Sequence, residues 1–144
     1  MKRSRILFLL FIIYMAVLLR ITVFRTGFAE NGFFHGTVNV SLFLDYIPLI
    51  QNGHWLRVIY LFVGNLIWFV PFGMYLQYIA AEGRHAFTLW RILLLGAALS
   101  LFIEVMQFVL GTGISELDDL ILNTAGVFIG RETYRLFCLW RLKL

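Results

Sequence analysis

Three stretches of this chain, residues 6–24, 58–81 and 92–110, are almost continuously apolar, and each is about as long as the 20 residues a helix needs to cross a bilayer. Inside hydrocarbon every backbone amide must find its partner within the protein, which confines such runs to helices. A soluble alternative fails on composition. The 144 residues are 61% hydrophobic and 14% charged, whereas ordinary soluble domains are about 25% charged, and a soluble domain of this size has too little interior to hide that much apolar surface. A fourth stretch, residues 117–136, is long enough, but its dependable apolar part, residues 120–129, is short and is followed by Arg131, Glu132 and Arg135. It is expected to span with its last turns snorkelling to the interface, with a re-entrant hairpin as the alternative. The expected architecture is all-α: a polytopic membrane protein, one domain over residues 1–144, with four transmembrane helices at about 6–24, 58–81, 92–110 and 117–136.

Lys2, Arg3 and Arg5 precede the first run much as they would in a cleaved signal peptide. The run continues without a small-x-small cleavage site into Arg20 and Phe24, so it reads as a retained first helix. Basic residues then orient the spans, because Lys and Arg accumulate in cytoplasmic loops. With the N-terminus inside, Lys2, Arg3, Arg5, Arg84, Arg91, Arg131, Arg135, Arg141 and Lys143, nine of the twelve, lie on the cytoplasmic side. Arg25 and Arg57 fall outside, Arg20 within a helix, and the loop 111–116 has no basic residue. Both termini are therefore expected in the cytoplasm. The net charge of +4 reflects topology, and nucleic acid is excluded as a partner. Tyr75, Tyr78, Trp90, Tyr134 and Trp140 near the inner boundary and Trp55 and Tyr60 near the outer one match an aromatic belt.

The external segment 25–57 is too apolar for a plain loop. Val38, Val40, Leu42 and Leu44 alternate with Asn39, Ser41, Phe43 and Asp45, and Tyr46, Ile47, Leu49 and Ile50 follow around Pro48. It is expected to lie in the outer interface or to re-enter over the bundle and cap it.

Glu104 stands in the middle of the third run, with Gln107 one turn further on and no neutralising neighbour in sequence. A charge at mid-bilayer costs about 2.5 to 3.5 kcal/mol on insertion scales, so it needs a partner, water or a function. At 1.5 Å per residue, Glu104 lies about 9 Å and Gln107 about 5 Å below the outer end of their helix, Asn65 about 10 Å, Asn123 about 9 Å, Asp119 about 3 Å and Arg20 about 6 Å. All four helices thus deliver polar residues to one slab beneath the outer surface, as a cavity open to the outer leaflet would require. Helical phase agrees: Ser100, Glu104 and Gln107 form one stripe, and Asp119, Asn123, Gly126 and Gly130 another. Arg20 is expected to pair with Glu104. The Gly126-x-x-x-Gly130 spacing lets another helix approach closely.

Other residues receive structural readings. Cys138 is a small apolar residue and, being alone, makes no internal disulfide. His35, His54 and His85 are scattered in loops without metal-ligand spacing. Pro71 is expected to kink the second helix. Ser115-Glu116-Leu117-Asp118 resembles a capping box for the fourth.

Residues 65–73 with their Phe-Val-Pro-Phe-Gly, then Glu104-Val-Met-Gln107, then Asp118-Asp119-Leu-Ile-Leu-Asn123-Thr-Ala-Gly126 with Gly130, resemble the three successive motifs of the VanZ-like family. Asp45-Tyr-Ile-Pro48 is similar to the family's short segment before the second helix, so the resemblance covers about residues 42–130. Many members carry an arginine before the aspartate pair; here Gly113-Ile-Ser-Glu116 has none. The family is named for a protein associated with teicoplanin resistance in Gram-positive bacteria. The resemblance implies a cell-envelope role and Asn65, Glu104, Gln107, Asp119 and Asn123 as the site, without supplying a reaction.

The expected function is an outward-facing intramembrane polar pocket, formed by those five residues and Arg20, that binds an amphiphilic envelope molecule: a membrane lipid, lipid-linked precursor or lipoglycopeptide. An intramembrane enzyme remains open, with Glu104 and Asp119 as acid and base. So does a purely structural role, in which the polar residues hold helices together. A proton-coupled transporter is disfavoured, since no comparable polar residues line the inner half.

Overall fold

The apolar runs are helices in the computed structural model, which describes residues 2–24, 33–34, 36–83 and 88–141. Of the residues singled out above, Arg25, His35, Arg84, His85 and Lys143 lie outside those described, as do the side chains of Lys2 and Arg3. The order is α1 (Lys2–Thr22), β1 (Thr37–Asn39), α2 (Tyr46–Gln51), α3 (Trp55–Ala81), α4 (Leu89–Leu110), β2 (Ile114–Glu116) and α5 (Leu117–Arg141). Among the described residues, three helices are long and apolar enough to cross a membrane: α1 over Ser4–Thr22, α3 and α4, with mean hydropathies of 2.2, 1.7 and 2.2. Their exposed Phe8, Leu9, Ile12, Ile13, Leu94 and Leu101 are the kind of side chain that membrane helices turn towards lipid.

α5 is a single 25-residue helix, so the hairpin alternative gives way to continuous structure. At 1.5 Å per residue it is about 37 Å long, more than the roughly 30 Å of a hydrocarbon core. Asp118, Asp119, Arg131, Glu132 and Arg135 make it less apolar than the other three. Glu132 forms ion pairs with Arg131 and Arg135 along the helix surface. The two short strands, which an all-α expectation lacked, pair with each other. They show how an apolar alternation such as that around Val38 can be satisfied by a neighbour far away in sequence.

The chain divides into two compact units, Met1–Asn39 with Phe102–Ser115, and Val40–Leu101 with Glu116–Leu144, so that α4 contributes residues to both. In the first, Leu18, Val23, Ile103 and Leu110 are buried. The Phe34 and Gly36 amides donate to the Val109 and Phe108 carbonyls at 2.8 and 3.2 Å. These are carbonyls of the last turn of α4, which no helical amide reaches. A Cβ on Gly36 would fall 2.5 Å from Phe108 Cα, so this approach requires glycine. The same helix end closes on Gly111, at φ 61. The Gly111 and Thr112 amides return to the Phe108 and Gln107 carbonyls at 3.3 and 3.1 Å, the Schellman arrangement that a left-handed glycine permits.

In the second unit α3 packs on α5. Phe69, Phe72 and Leu76 repeat at helical spacing on α3 and are buried, as are Leu122 and Val127 on α5. The glycine stripe of α5 sets the contact: a Cβ on Gly126 would lie 2.3 Å from the Leu66 carbonyl oxygen, and one on Gly130 2.0 Å from that of Val70. α3 reciprocates at Gly73, where a Cβ would lie 2.0 Å from the Val127 oxygen. Glycine Cα hydrogens point at carbonyls in this geometry, adding weak Cα–H···O contacts to close van der Waals packing. The Gly126-x-x-x-Gly130 spacing therefore has a definite partner, α3. That helix continues through Pro71 without interruption.

Candidate ligand-binding site

The six residues expected to form the site divide between the two units. Asn65, Asp119 and Asn123 belong to the second, and Arg20, Glu104 and Gln107 to the first.

In the second unit, the Asn65 amide on α3 donates to Asp119 Oδ1 in the first turn of α5. One turn further along α5, Asn123 Nδ2 donates to Ser100 Oγ on α4 at 2.9 Å. Asn123 and Ser100 are 4% and 0% exposed, while Asn123 Oδ1 is buried with no hydrogen-bond partner among the described residues. Leaving a buried acceptor unpaired costs about 1 to 3 kcal/mol, so this pole of the amide is available for a water or a ligand donor.

In the first unit Glu104 is 6% and Gln107 4% exposed, both in the last three turns of α4. Gln107 Nε2 donates to the Thr22 carbonyl at the end of α1 at 3.1 Å, satisfying one of the carbonyls that a helix C-terminus leaves open. Gln107 Oε1 has no partner among the described residues, and neither does the buried Thr112 hydroxyl.

The expected Arg20–Glu104 ion pair is not found. Arg20 is exposed, and its guanidinium donates to the Phe24 carbonyl just beyond α1. Among the described residues the ion pairs are those of Glu132 with Arg131 and Arg135. The physical reason is local: a basic side chain in the last turn reaches the open carbonyls at its own helix end and interacts favourably with the dipole there. The capping box is not formed either. Ser115 Oγ donates to the Glu104 carbonyl at 2.6 Å, and the buried Asp118 carboxylate accepts the Phe43 amide on both oxygens, at 2.9 and 3.0 Å.

That Asp118 contact is the feature sequence reasoning missed. Phe43 has φ 53, a conformation non-glycine residues adopt rarely, and its ring joins Tyr46 and Phe62 at centroid distances of 6.0 and 6.5 Å. Burial pushes the Tyr46 phenol up to about 12, helped by the negative charges of Asp119, Asp118, Glu116 and Asp45. Two adjacent aspartates thus do different work: Asp119 is tied to α3, and Asp118 holds the turn before α2. A carboxylate in the first turn of a helix gave only a capping signal in the sequence, and nothing local marked Phe43 as its partner.

The model of the VanZ/LLP1 family matches residues 8–139. This chain belongs to that family. With three helices long and apolar enough to cross a membrane, the VanZ/LLP1 membership makes it a multi-pass membrane protein. Protein VanZ of Enterococcus faecium is 32% identical over 97 residues, covering 65% of this chain and 53% of the relative, so the chain spans about half the length of that curated VanZ relative. No solved structure matches. Of the residues singled out by the resemblance, Glu104, Gln107 and Asn123 are buried, and Asn65 pairs with Asp119.

Proposed function

We propose that this VanZ-family protein binds the polar head of an amphiphilic cell-envelope molecule, a membrane lipid, lipid-linked precursor or lipoglycopeptide, and that its role resembles that of the teicoplanin-resistance protein for which the family is named. In this reading the chain is one membrane domain. α5 is the fourth span, both termini are cytoplasmic, and segment 25–57 lies against the outer interface. Asn65, Glu104, Gln107, Asp119 and Asn123, together with Arg20, are the residues that contact the bound molecule. The observation that carries the reading is the pair of buried amide oxygens, on Gln107 and Asn123, without partners among the described residues. Side chains that served only as helix glue would spend both poles on neighbouring helices.

Glu104→Gln keeps the shape and a hydrogen-bonding group while deleting the charge. Glu104→Gln and Asn123→Ala proteins are expected to insert, purify and melt close to the parent while losing its effect on bacterial tolerance of teicoplanin in a growth assay. Full retention of the phenotype, or loss only through misfolding, would reduce the polar residues to glue.

Topology is checked with single cysteines at Asn31, Arg84 and the exposed Ile114 in a Cys138→Ser background. An impermeant thiol reagent applied from outside is expected to label the first and third and to spare the second. Labelling at Arg84, or protection of the other two, would overturn the four-span arrangement.

A further inference from the structure

The orientation of the Gln107 amide is decided by its surroundings. Facing the Thr22 carbonyl at 3.1 Å, it must present Nε2 there, because a carbonyl offers no proton to an amide oxygen. Oε1 is consequently the pole left over, and it is buried without a partner among the described residues. Among the described residues, acceptor groups stand near this end of α4. Glu104 sits three residues earlier on the same face of α4, where side chains are neighbours. The end of α1, with its open carbonyls and negative dipole end, is in contact through Thr22. The basic side chain of this helix end, Arg20, is exposed and turned to the Phe24 carbonyl.

We propose that Gln107 Oε1 is the acceptor of a subsite for a protonated amine, an ammonium group carried by the bound amphiphile. This inference rests on the ligand-binding reading above and gives the ligand's head a chemistry. An ammonium offers three donors and a positive charge, which suits an orphan amide oxygen beside a carboxyl group and a helix C-terminus.

The test uses the full chain in dodecyl maltoside, labelled with carbon-13 and nitrogen-15 at its three glutamines, Gln51, Gln77 and Gln107. Gln51→Asn and Gln77→Asn assign the other two signals, so the native Gln107 is read without altering the site. Three probes are titrated: hexylammonium, hexyltrimethylammonium, which keeps the charge without N–H donors, and hexanol, a neutral donor. The Gln107 side-chain signals are expected to move saturably with hexylammonium while those of Gln51 and Gln77 stay. Hexyltrimethylammonium and hexanol are each expected to bind at least about tenfold more weakly, the loss anticipated when a hydrogen bond to a charged group is removed. Equal binding of hexyltrimethylammonium overturns the donor requirement, and equal binding of hexanol overturns the positive charge. Saturable binding seen by tryptophan fluorescence with a stationary Gln107 signal removes the subsite and leaves the amphiphile reading standing. No saturable response to any probe removes both.

Discussion

Gly130→Leu is expected to separate α3 from α5 and to destabilise the protein by about 3 kcal/mol, the upper end of the usual effect of overpacking. The position leaves no room to relax. A Cβ there would fall 2.0 Å from the Val70 carbonyl oxygen and 3.0 Å from the Met74 amide nitrogen, so the obstacle is backbone, which a rotamer change cannot remove. The helices would have to move apart, and in lipid the close van der Waals contact they lose is the main force between them. Gly64, on the same helix α3, has nothing within 4 Å of its Cβ position. Gly64→Leu should therefore be neutral, or stabilising by up to roughly 0.5 to 1 kcal/mol through helix propensity. Thermal unfolding of both variants in detergent, followed by circular dichroism, checks the pair. If Gly130→Leu melts with Gly64→Leu, the close packing of α3 on α5 is wrong.

Asp118→Ala is expected to release the turn before α2, at roughly 1 to 3 kcal/mol for an amide left without its acceptor. The lost bond is held by both carboxylate oxygens, and it pins a residue in the left-handed region, which by itself stores of order 1 to 3 kcal/mol. Without the carboxylate, Phe43 relaxes towards negative φ and its contacts with Tyr46 and Phe62 loosen. The Tyr46 phenol reports this directly. In the parent it titrates near 12 because burial and then the surrounding carboxylates disfavour the phenolate. A folded value above the unfolded 10 means that the stability gained from the neutral phenol is complete below pH 10 and is lost as pH rises through about 12. In Asp118→Ala the Tyr46 midpoint should fall towards 10, read as the difference in ultraviolet titration between proteins with and without Tyr46→Phe. Amide exchange over residues 42–51 should quicken. An unchanged tyrosine midpoint together with unchanged exchange would show that Asp118 does not hold this turn.

Much of the candidate site was legible because helical spacing is a local property. Glu104 and Gln107 are buried on one side of α4, as their three-residue spacing required, and the α5 stripe from Asp119 through Asn123 to Gly130 is the face that meets α3 and Ser100. Partners were harder to read than faces. Arg20 and Glu104 share a depth in sequence arithmetic, yet depth says nothing of azimuth, and the arginine bonds the Phe24 carbonyl beyond its own helix end. Ser115 carried a capping signal that is equally a signal for any short-range hydroxyl donor, and the carbonyl it reaches is that of Glu104.

Hydrophobic run length alone determined three helices long and apolar enough to cross a membrane, since the cost of moving unpaired backbone and polar groups into hydrocarbon is settled residue by residue. The order and spacing of the polar motifs determined the family. Tertiary structure decided which polar atoms are spent and which remain: Phe43 meets Asp118 across 75 residues, Asn65 meets Asp119 across 54, and Thr22 meets Gln107 across 85. No periodicity within one segment encodes such pairs, because each depends on how separate elements are turned towards one another. The oxygens of Gln107 and Asn123 remain without partners among the described residues.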